Sequence, residues 1–263
     1  MTNSLLSPSV NEYQLLPSGI LFQQNASGAP TLKHNGRNYI HFVGGIYMPA
    51  QMHELSLAQL QDVNRLRHET FSNGSVGQKN YTLKKLFAET IEDHAGDADL
   101  TVVDLGCGTT PVMPYFNKLH RYIGIDIDPN VVQQITSVGL EGYDTAQLPQ
   151  IKLPANGLAA FVALYSFQWH LGDDFFSSVV SLMRDGDIML ANLYRIPDEH
   201  KSTLRARINA TGLHIAPEIA DTKMSPGGRQ SFWAISKQAA AAEQLAERFE
   251  SKLAALPDCS HMN

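Results

Sequence analysis

Val102-Val-Asp-Leu-Gly-Cys-Gly-Thr-Thr-Pro111 is the stretch that decides how the chain reads. An apolar run entering Gly106-x-Gly108 predicts a buried strand and a tight turn, where backbone can approach a ligand with no Cβ in the way. The third glycine of a dinucleotide fingerprint would fall at position 111, which is Pro111. That argues against NAD or FAD. Asp104, two residues before the first glycine, repels a pyrophosphate and favours an ammonium or a sulfonium.

Working outward, three further apolar runs follow: Tyr122-Ile-Gly-Ile-Asp126, Gly157-Leu-Ala-Ala-Phe-Val-Ala-Leu-Tyr165 and Asp187-Ile-Met-Leu-Ala-Asn-Leu193, with helical segments between them, as around Phe175–Met183. Apolar strands alternating with helices predict an α/β fold, a doubly wound, mostly parallel sheet of seven strands. His214-Ile-Ala-Pro-Glu-Ile219 and Gln230-Ser-Phe-Trp-Ala-Ile-Ser-Lys237 are expected to close it with an antiparallel strand. The tail holds Leu245, Phe249 and Leu253 at helical spacing. Upstream, Leu83, Leu86, Phe87 and Ile91 mark a helix ending near Gly96, and Ser56-Leu-Ala-Gln59 fits a capping box ahead of Leu60, Val63 and Leu66. Between these helices Phe71-Ser-Asn-Gly-Ser-Val-Gly77 reads as a flexible break, with 72–77 hinge-like. The first 50 residues read as short strands, with Asn35-Gly36 as a hairpin turn. The expected organisation is a β-rich cap at 1–54, a helical lid or connector at 55–96, a Rossmann-like core at 97–237 and an amphipathic helix at 238–257.

Two more acidic positions fall in register with the glycine turn. Asp126 ends the second run, 20 residues after Gly106, a distance that suits hydrogen bonds to both hydroxyls of a ribose. Asp144, in Gly142-Tyr-Asp-Thr-Ala-Gln-Leu-Pro149, stands at the third strand end, where it suits an adenine amino group. Helix capping is the competing role for both.

With these residues in place the sequence resembles the class I S-adenosylmethionine (SAM)-dependent methyltransferases, over roughly residues 80–236. Asp104-Leu-Gly-Cys-Gly-Thr109 is similar to their first motif, which implies Asp104, Gly106, Cys107 and Gly108 around the methionine portion. Gly124-Ile-Asp-Ile-Asp-Pro129 is similar to the second, implying Asp126 on the ribose and Ile127 against the adenine. Asp144-Thr-Ala-Gln-Leu-Pro149 resembles the third, implying Asp144 and Thr145 near the adenine. Tyr165-Ser-Phe-Gln-Trp-His-Leu-Gly-Asp173 resembles the fourth, beside the sulfonium and the acceptor. The chain departs from the pattern at Ala160, where an acidic residue is frequent, and at Asp185-Gly-Asp187, which replaces Pro-Gly-Gly. It has no Asn-Pro-Pro-Tyr type of motif, and residues 1–50 match no family pattern.

Composition bounds the rest. The chain has 263 residues, 43% of them hydrophobic and 17% charged, with a formal net charge of −6. An acidic chain whose basic residues come in separated pairs, such as Arg65/Arg67, Lys84/Lys85 and Arg205/Arg207, lacks the stripe a nucleic-acid enzyme needs. Cys107 and Cys259 cannot build a disulfide framework, and the histidines show no metal-ligand spacing, so no metal is expected. The N-terminus lacks a basic region and an apolar core, and no apolar run approaches the roughly 18 residues of a membrane span. The expectation is a soluble, cytoplasmic protein, a monomer or homodimer, bound to neither membrane nor nucleic acid.

The implied cofactor is SAM, and the implied reaction is methyl transfer to oxygen or nitrogen of a small molecule. An acceptor protonated at neutral pH needs a base, and His170 is the candidate. Tyr165, Phe167 and Trp169 are candidate pocket walls, and Tyr194, at the fifth strand end, is another; the alternative for all of them is core packing. The segment before the first core strand, with Tyr39, Phe42, Tyr47 and Phe71, is expected to close an aromatic chamber. Two other readings keep the same motifs: a cyclase or lyase in which the amino group of SAM attacks its own side chain and releases methylthioadenosine, and a SAM-binding protein without catalysis.

Overall fold

The computed structural model describes residues 13–23, 31–43, 45–50, 56, 58–59, 61–63, 65–66, 75–167, 173–194, 196, 198–221, 223–224 and 230–257. The chain divides into two compact units, Met1–Gly74 and Ser75–Asn263. The boundary falls inside the stretch 55–96 expected as a connector.

In the first unit five short strands, β1 (Gln14–Leu15), β2 (Leu21–Phe22), β3 (Thr31–His34), β4 (Arg37–Val43) and β5 (Ile46–Pro49), form one antiparallel sheet in the order β1-β2-β5-β4-β3. Asn35 and Gly36 both take positive φ, 49° and 77°, between the paired His34 and Arg37, as a type I′ turn requires. Leu21, Tyr39 and Tyr47 are its buried core. Residues 58–59, 61–63 and 65–66 are helical, and the capping box is present: Gln59 N–H donates to Ser56 Oγ at 3.3 Å and Ser56 N–H to Gln59 Oε1 at 2.8 Å.

The second unit is a sheet of eight strands: β6 (Leu100–Leu105), β7 (Leu119–Asp126), β8 (Glu141–Asp144), β9 (Leu158–Ala163), β10 (Ile188–Tyr194), β11 (His214–Ile215), β12 (Ile219–Ala220) and β13 (Gln230–Ser236). Its order is β11-β13-β10-β9-β6-β7-β8, with β12 also paired to β13. Both β11 and β12 pair antiparallel with β13, on residues 235–236 and 231–232, so they occupy one edge position split in two. Seven positions therefore carry eight strands. β6 to β10 pair in parallel, and β13 runs antiparallel to β10 and to its outer partners.

Among the described residues five α-helices flank this sheet: α1 (Ser75–Ala95), α2 (Pro129–Ser137), α3 (Asp173–Leu182), α4 (Asp198–Ala210) and α5 (Ala239–Ala255). Leu83, Leu86, Phe87 and Ile91 of α1 and Leu245, Phe249 and Leu253 of α5 lie in one buried cluster with Val102, Val162, Leu190 and Phe232. Residues of α3 and α4, among them Phe176, Val179, Leu204 and Ile208, form the other cluster with Val103, Phe161, Met189 and Trp233. Alternate residues of each central strand feed alternate clusters, so the period-two pattern is satisfied on both faces. The tail helix thus packs on its own unit. α1 starts at Ser75, which corrects the expected break over 72–77: Ser75, Val76 and Gly77 are helical, and residues 71–74 lie outside the described residues. A first-turn glycine is tolerated there because first-turn N–H groups have no intrahelical partner. No helix among the described residues is long and apolar enough to cross a membrane.

Candidate functional site

In a doubly wound sheet the ligand crevice opens at the carboxyl ends of the strands, where the order reverses. Here the reversal lies at β6, with β7 on one side and β9 on the other. The glycine turn leaves β6 at this point. Gly106 and Gly108 both take positive φ, 71° and 57°. A Cβ on Gly106 would stand 2.6 Å from Ser166 Oγ, whereas one on Gly108 would meet nothing within 4 Å. Gly106 is thus required by packing and Gly108 by conformation, and the space beyond Gly108 is open to a ligand. The amides of Gly106 and Cys107 both donate to the Ile125 carbonyl, at 2.8 and 3.1 Å, tying the turn to β7.

Asp104 is 2% exposed. Its Oδ2 accepts from Tyr122 Oη at 2.8 Å and from Val112 N–H at 3.0 Å. Burial pushes its pKa up to about 6 against the opposing pull of those two donors and of Lys84, and Asp126 adds to the rise. The expectation placed this carboxylate at the ligand cleft; its Oδ2 instead braces the turn from beneath. Cys107 is buried, and burial raises its thiol pKa, so it is a packing residue rather than a nucleophile. Lys84 of α1 grips the loop from the other side, donating to the Thr110 carbonyl and, at 3.0 Å, to Thr110 Oγ1.

Asp126 ends β7. Its Oδ2 accepts from Gly108 N–H and its Oδ1 from Asp128 N–H, both at 2.9 Å. Burial raises its pKa, partly offset by the amides of Asp128 and Gly108. A third amide, that of Ile127, also favours the charged carboxylate. Ile127 beside it is 40% exposed, one of few large apolar side chains left open. Asp144 caps the short helix Thr145–Gln150: Gln147 N–H donates to its Oδ1 at 3.0 Å, and Gln147 Oε1 accepts from Asp144 N–H. The capping role is therefore present at Asp144, which remains half-buried, as does Thr145.

Beyond the carboxyl end of β9, Tyr165 takes φ +59°, a left-handed conformation that costs an aromatic residue on the order of 1–3 kcal/mol. Three contacts, two from β10 and one from α1, hold it there. Its N–H donates to Asn192 Oδ1 of β10 at 2.5 Å, its hydroxyl donates to Asn80 Oδ1 of α1 at 2.9 Å, and its ring stands edge-on to Tyr194 with centroids 5.8 Å apart. Ser166 next to it donates to the Leu105 carbonyl, locking the end of β9 to the glycine turn. Phe167 is buried against Phe176, 5.8 Å between ring centroids, and so belongs to the core. Trp169 and His170 lie outside the described residues.

The site thus brings together Asp104, Gly106, Cys107, Gly108 and Asp126, and separately Tyr165 with Tyr194. The motifs did not reveal Asn80, Lys84, Tyr122, Ser166 or Asn192. Of these only Asn192 carried a signal, a polar residue inside the apolar run of β10. A groove of about 650 Å³ lies at the opposite end of the sheet, lined by His94, Gly157, Arg184 and Asp187 among others. Arg184 and Asp187 are committed to one another there, Arg184 Nη2 to Asp187 Oδ1 at 2.9 Å, which clasps the starts of β9 and β10.

Strand order, the reversed β13 and the glycine turn after the first strand of the sheet define a doubly wound, Rossmann-like fold. No family model matches the chain, and no curated protein matches it in sequence. Among solved structures it is similar to the N-methyltransferase NodS from Bradyrhizobium japonicum, at 10% identity and a TM-score of 0.46 over 60% of this chain and 96% of that one. Magnesium protoporphyrin IX methyltransferase from Synechocystis, with S-adenosylhomocysteine bound, gives 13% and 0.46 over 68% and 94%. The amino pentose methyltransferase CalS10 from Micromonospora echinaspora, with SAM bound, gives 11% and 0.45 over 63% and 98%.

Proposed function

We propose that the chain is a SAM-dependent methyltransferase whose acceptor is a small molecule methylated on oxygen or nitrogen. The observation that carries this reading is the succession of elements at the carboxyl ends of four adjacent strands: the glycine turn with open space over Gly108, buried Asp126 with exposed Ile127, half-buried Asp144 with Thr145, and Tyr165 held in a strained conformation. Each matches one part of the cofactor in chemistry. Gly108 admits close approach of the methionine portion, the Asp126 carboxylate at the strand end suits the ribose hydroxyls, and Ile127 offers an apolar wall to the adenine. Asp104 and Asp126 give the crevice a negative field that favours an ammonium and a sulfonium.

SAM supplies a methyl group already activated by its sulfonium. The chain's part is therefore to align and desolvate a nucleophile. Tyr165, whose hydroxyl donates to Asn80, is assigned to orient the substrate rather than to remove its proton. His170 is the base assigned to that proton in this reading. A net charge of −6 supports a small acceptor over a nucleic acid.

The test is mass spectrometry of the full chain incubated with SAM alone and then with SAM and a small-molecule extract. The reading predicts stable SAM in the first case. In the second it predicts S-adenosylhomocysteine and a product heavier by one methyl in place of hydrogen. Methylthioadenosine accumulating without any acceptor would replace the transferase with a cyclase or lyase.

A further inference from the structure

Three buried polar side chains outside the cofactor motifs are strung behind Tyr165. Asn192, on β10, is fully buried; Gln230 opens β13, and Asp221 follows β12. In the register of β10 and β13, Asn192 faces Phe232 and Tyr194 faces Gln230, so Asn192 and Gln230 are diagonal neighbours on one face. Tyr165 N–H donates to Asn192 Oδ1 at 2.5 Å, Asn192 Nδ2 to Gln230 Oε1 at 3.5 Å, and Gln230 Nε2 to Asp221 Oδ2 at 3.2 Å. The other oxygen of Asp221, Oδ1, accepts from the amides of Lys223 and Met224 at 2.9 and 2.8 Å.

All the donors point the same way, and the chain ends on a carboxylate. A carboxylate only accepts, so it forces the Gln230 amide to turn its NH₂ toward Asp221 and its oxygen toward Asn192. Asn192 must then turn its NH₂ to Gln230 and its oxygen to the Tyr165 peptide. Without the charge at its end, both amides are free to reverse, and Asn192 would present a donor to a donor. Placing three polar groups among apolar neighbours carries a desolvation penalty that a merely structural stretch of sheet has no reason to incur.

We propose that Asp221, Gln230 and Asn192 are positioning residues, a polarised amide chain that fixes the peptide of Tyr165 and so holds its ring and hydroxyl where the cofactor and acceptor meet. The function of the chain rests on reading Tyr165 as part of that site, but its polarity does not.

Polarity gives a sharp test. In Asp221→Asn the new amide can still accept from Lys223 and Met224, but it turns an NH₂ toward Gln230 and reverses the chain. In Asn192→Asp two carboxylates compete for the one Gln230 NH₂. In the double variant every donor meets an acceptor again: Asn at 221 donates to Gln230, Gln230 donates to Asp at 192, and that Asp accepts from Tyr165. Two readouts apply. The protein has nine tyrosines, so ¹⁵N-tyrosine labelling gives few amide signals, and Tyr165→Phe assigns the relevant one. The hydrogen bond to Asn192 Oδ1 predicts a proton signal that moves upfield in each single variant and returns in the double. Titration with S-adenosylhomocysteine predicts at least about tenfold weaker binding in each single variant, restored to within about threefold in the double. If the singles do not fold, a double variant that folds and binds like the parent supports the chain. Singles that leave the Tyr165 signal in place overturn it, as does a double no better than its parents. If the parent fails to bind S-adenosylhomocysteine, the cofactor reading falls, and the amide signal still decides the chain.

Discussion

Asp104 is the residue whose environment carries the clearest consequence. It lies beneath the glycine turn with one oxygen taken by Tyr122 and Val112, and burial raises its pKa to about 6. A carboxyl whose folded pKa is raised holds its proton more tightly when folded. Its contribution to stability is therefore full below the unfolded pKa of about 3.9 and is lost as pH rises through about 6. At neutral pH the ionised Asp104 carries a desolvation cost that a nearby cation would offset. In Asp104→Asn the charge is gone while an oxygen remains for Tyr122 and Val112. Urea unfolding without ligand should show the difference between variant and parent moving in the variant's favour by on the order of 1–3 kcal/mol from about pH 5 to about pH 8. The variant's affinity for S-adenosylhomocysteine should fall at the higher pH. A stability difference independent of pH would show that Asp104 does not titrate as described. Spacing alone pointed to Asp104 and Asp126, because both follow strands with readable apolar runs. It could not reveal Tyr122, Ser166 or Asn192, since each acts across strands that are distant in sequence.

Among the elements, α1 and α5 do unequal work. α5 is packing: Phe249 meets Phe232 of β13 with ring centroids 4.6 Å apart and Phe87 of α1 at 5.4 Å, and it is fully buried. Phe249→Ala should lower the unfolding free energy of the second unit by about 3–5 kcal/mol. Binding of S-adenosylhomocysteine should survive wherever the variant is folded; a loss below 1 kcal/mol in denaturant titration would mean that the helix is not held by this triad. α1 packs with the same cluster through Leu83, Phe87 and Ile91, while Asn80 and Lys84 reach the site. Its apolar spacing was legible, its start at Ser75 was not. Glycine and serine near a helix start read as a break, whereas the first turn tolerates both. The split of one edge position into β11 and β12 was equally hidden, because Pro217 falls between two pieces too short to show a period.

On the scale of the molecule, the parallel run β8-β7-β6-β9-β10 and the reversed β13 direct every carboxyl end that matters to one crevice. The groove at the amino ends is lined by the Arg184–Asp187 clasp, which ties the starts of β9 and β10 together. The alternation of strands and helices made this arrangement readable from the apolar runs, and four motifs in register made the crevice readable as well. The first unit was readable as short strands around the Asn35-Gly36 turn and a capped helical stretch from Ser56, but its segments carry no functional motif. The central claim is that the crevice binds an adenosyl sulfonium cofactor through Asp126, and calorimetric titration of the full chain with S-adenosylhomocysteine tests it most directly. The account predicts saturable binding at one site per chain, weakened about ten- to a hundredfold in Asp126→Asn, which keeps an amide acceptor but loses the charge. A parent chain that gives no saturable heat, or a variant that binds as tightly as the parent, would contradict it.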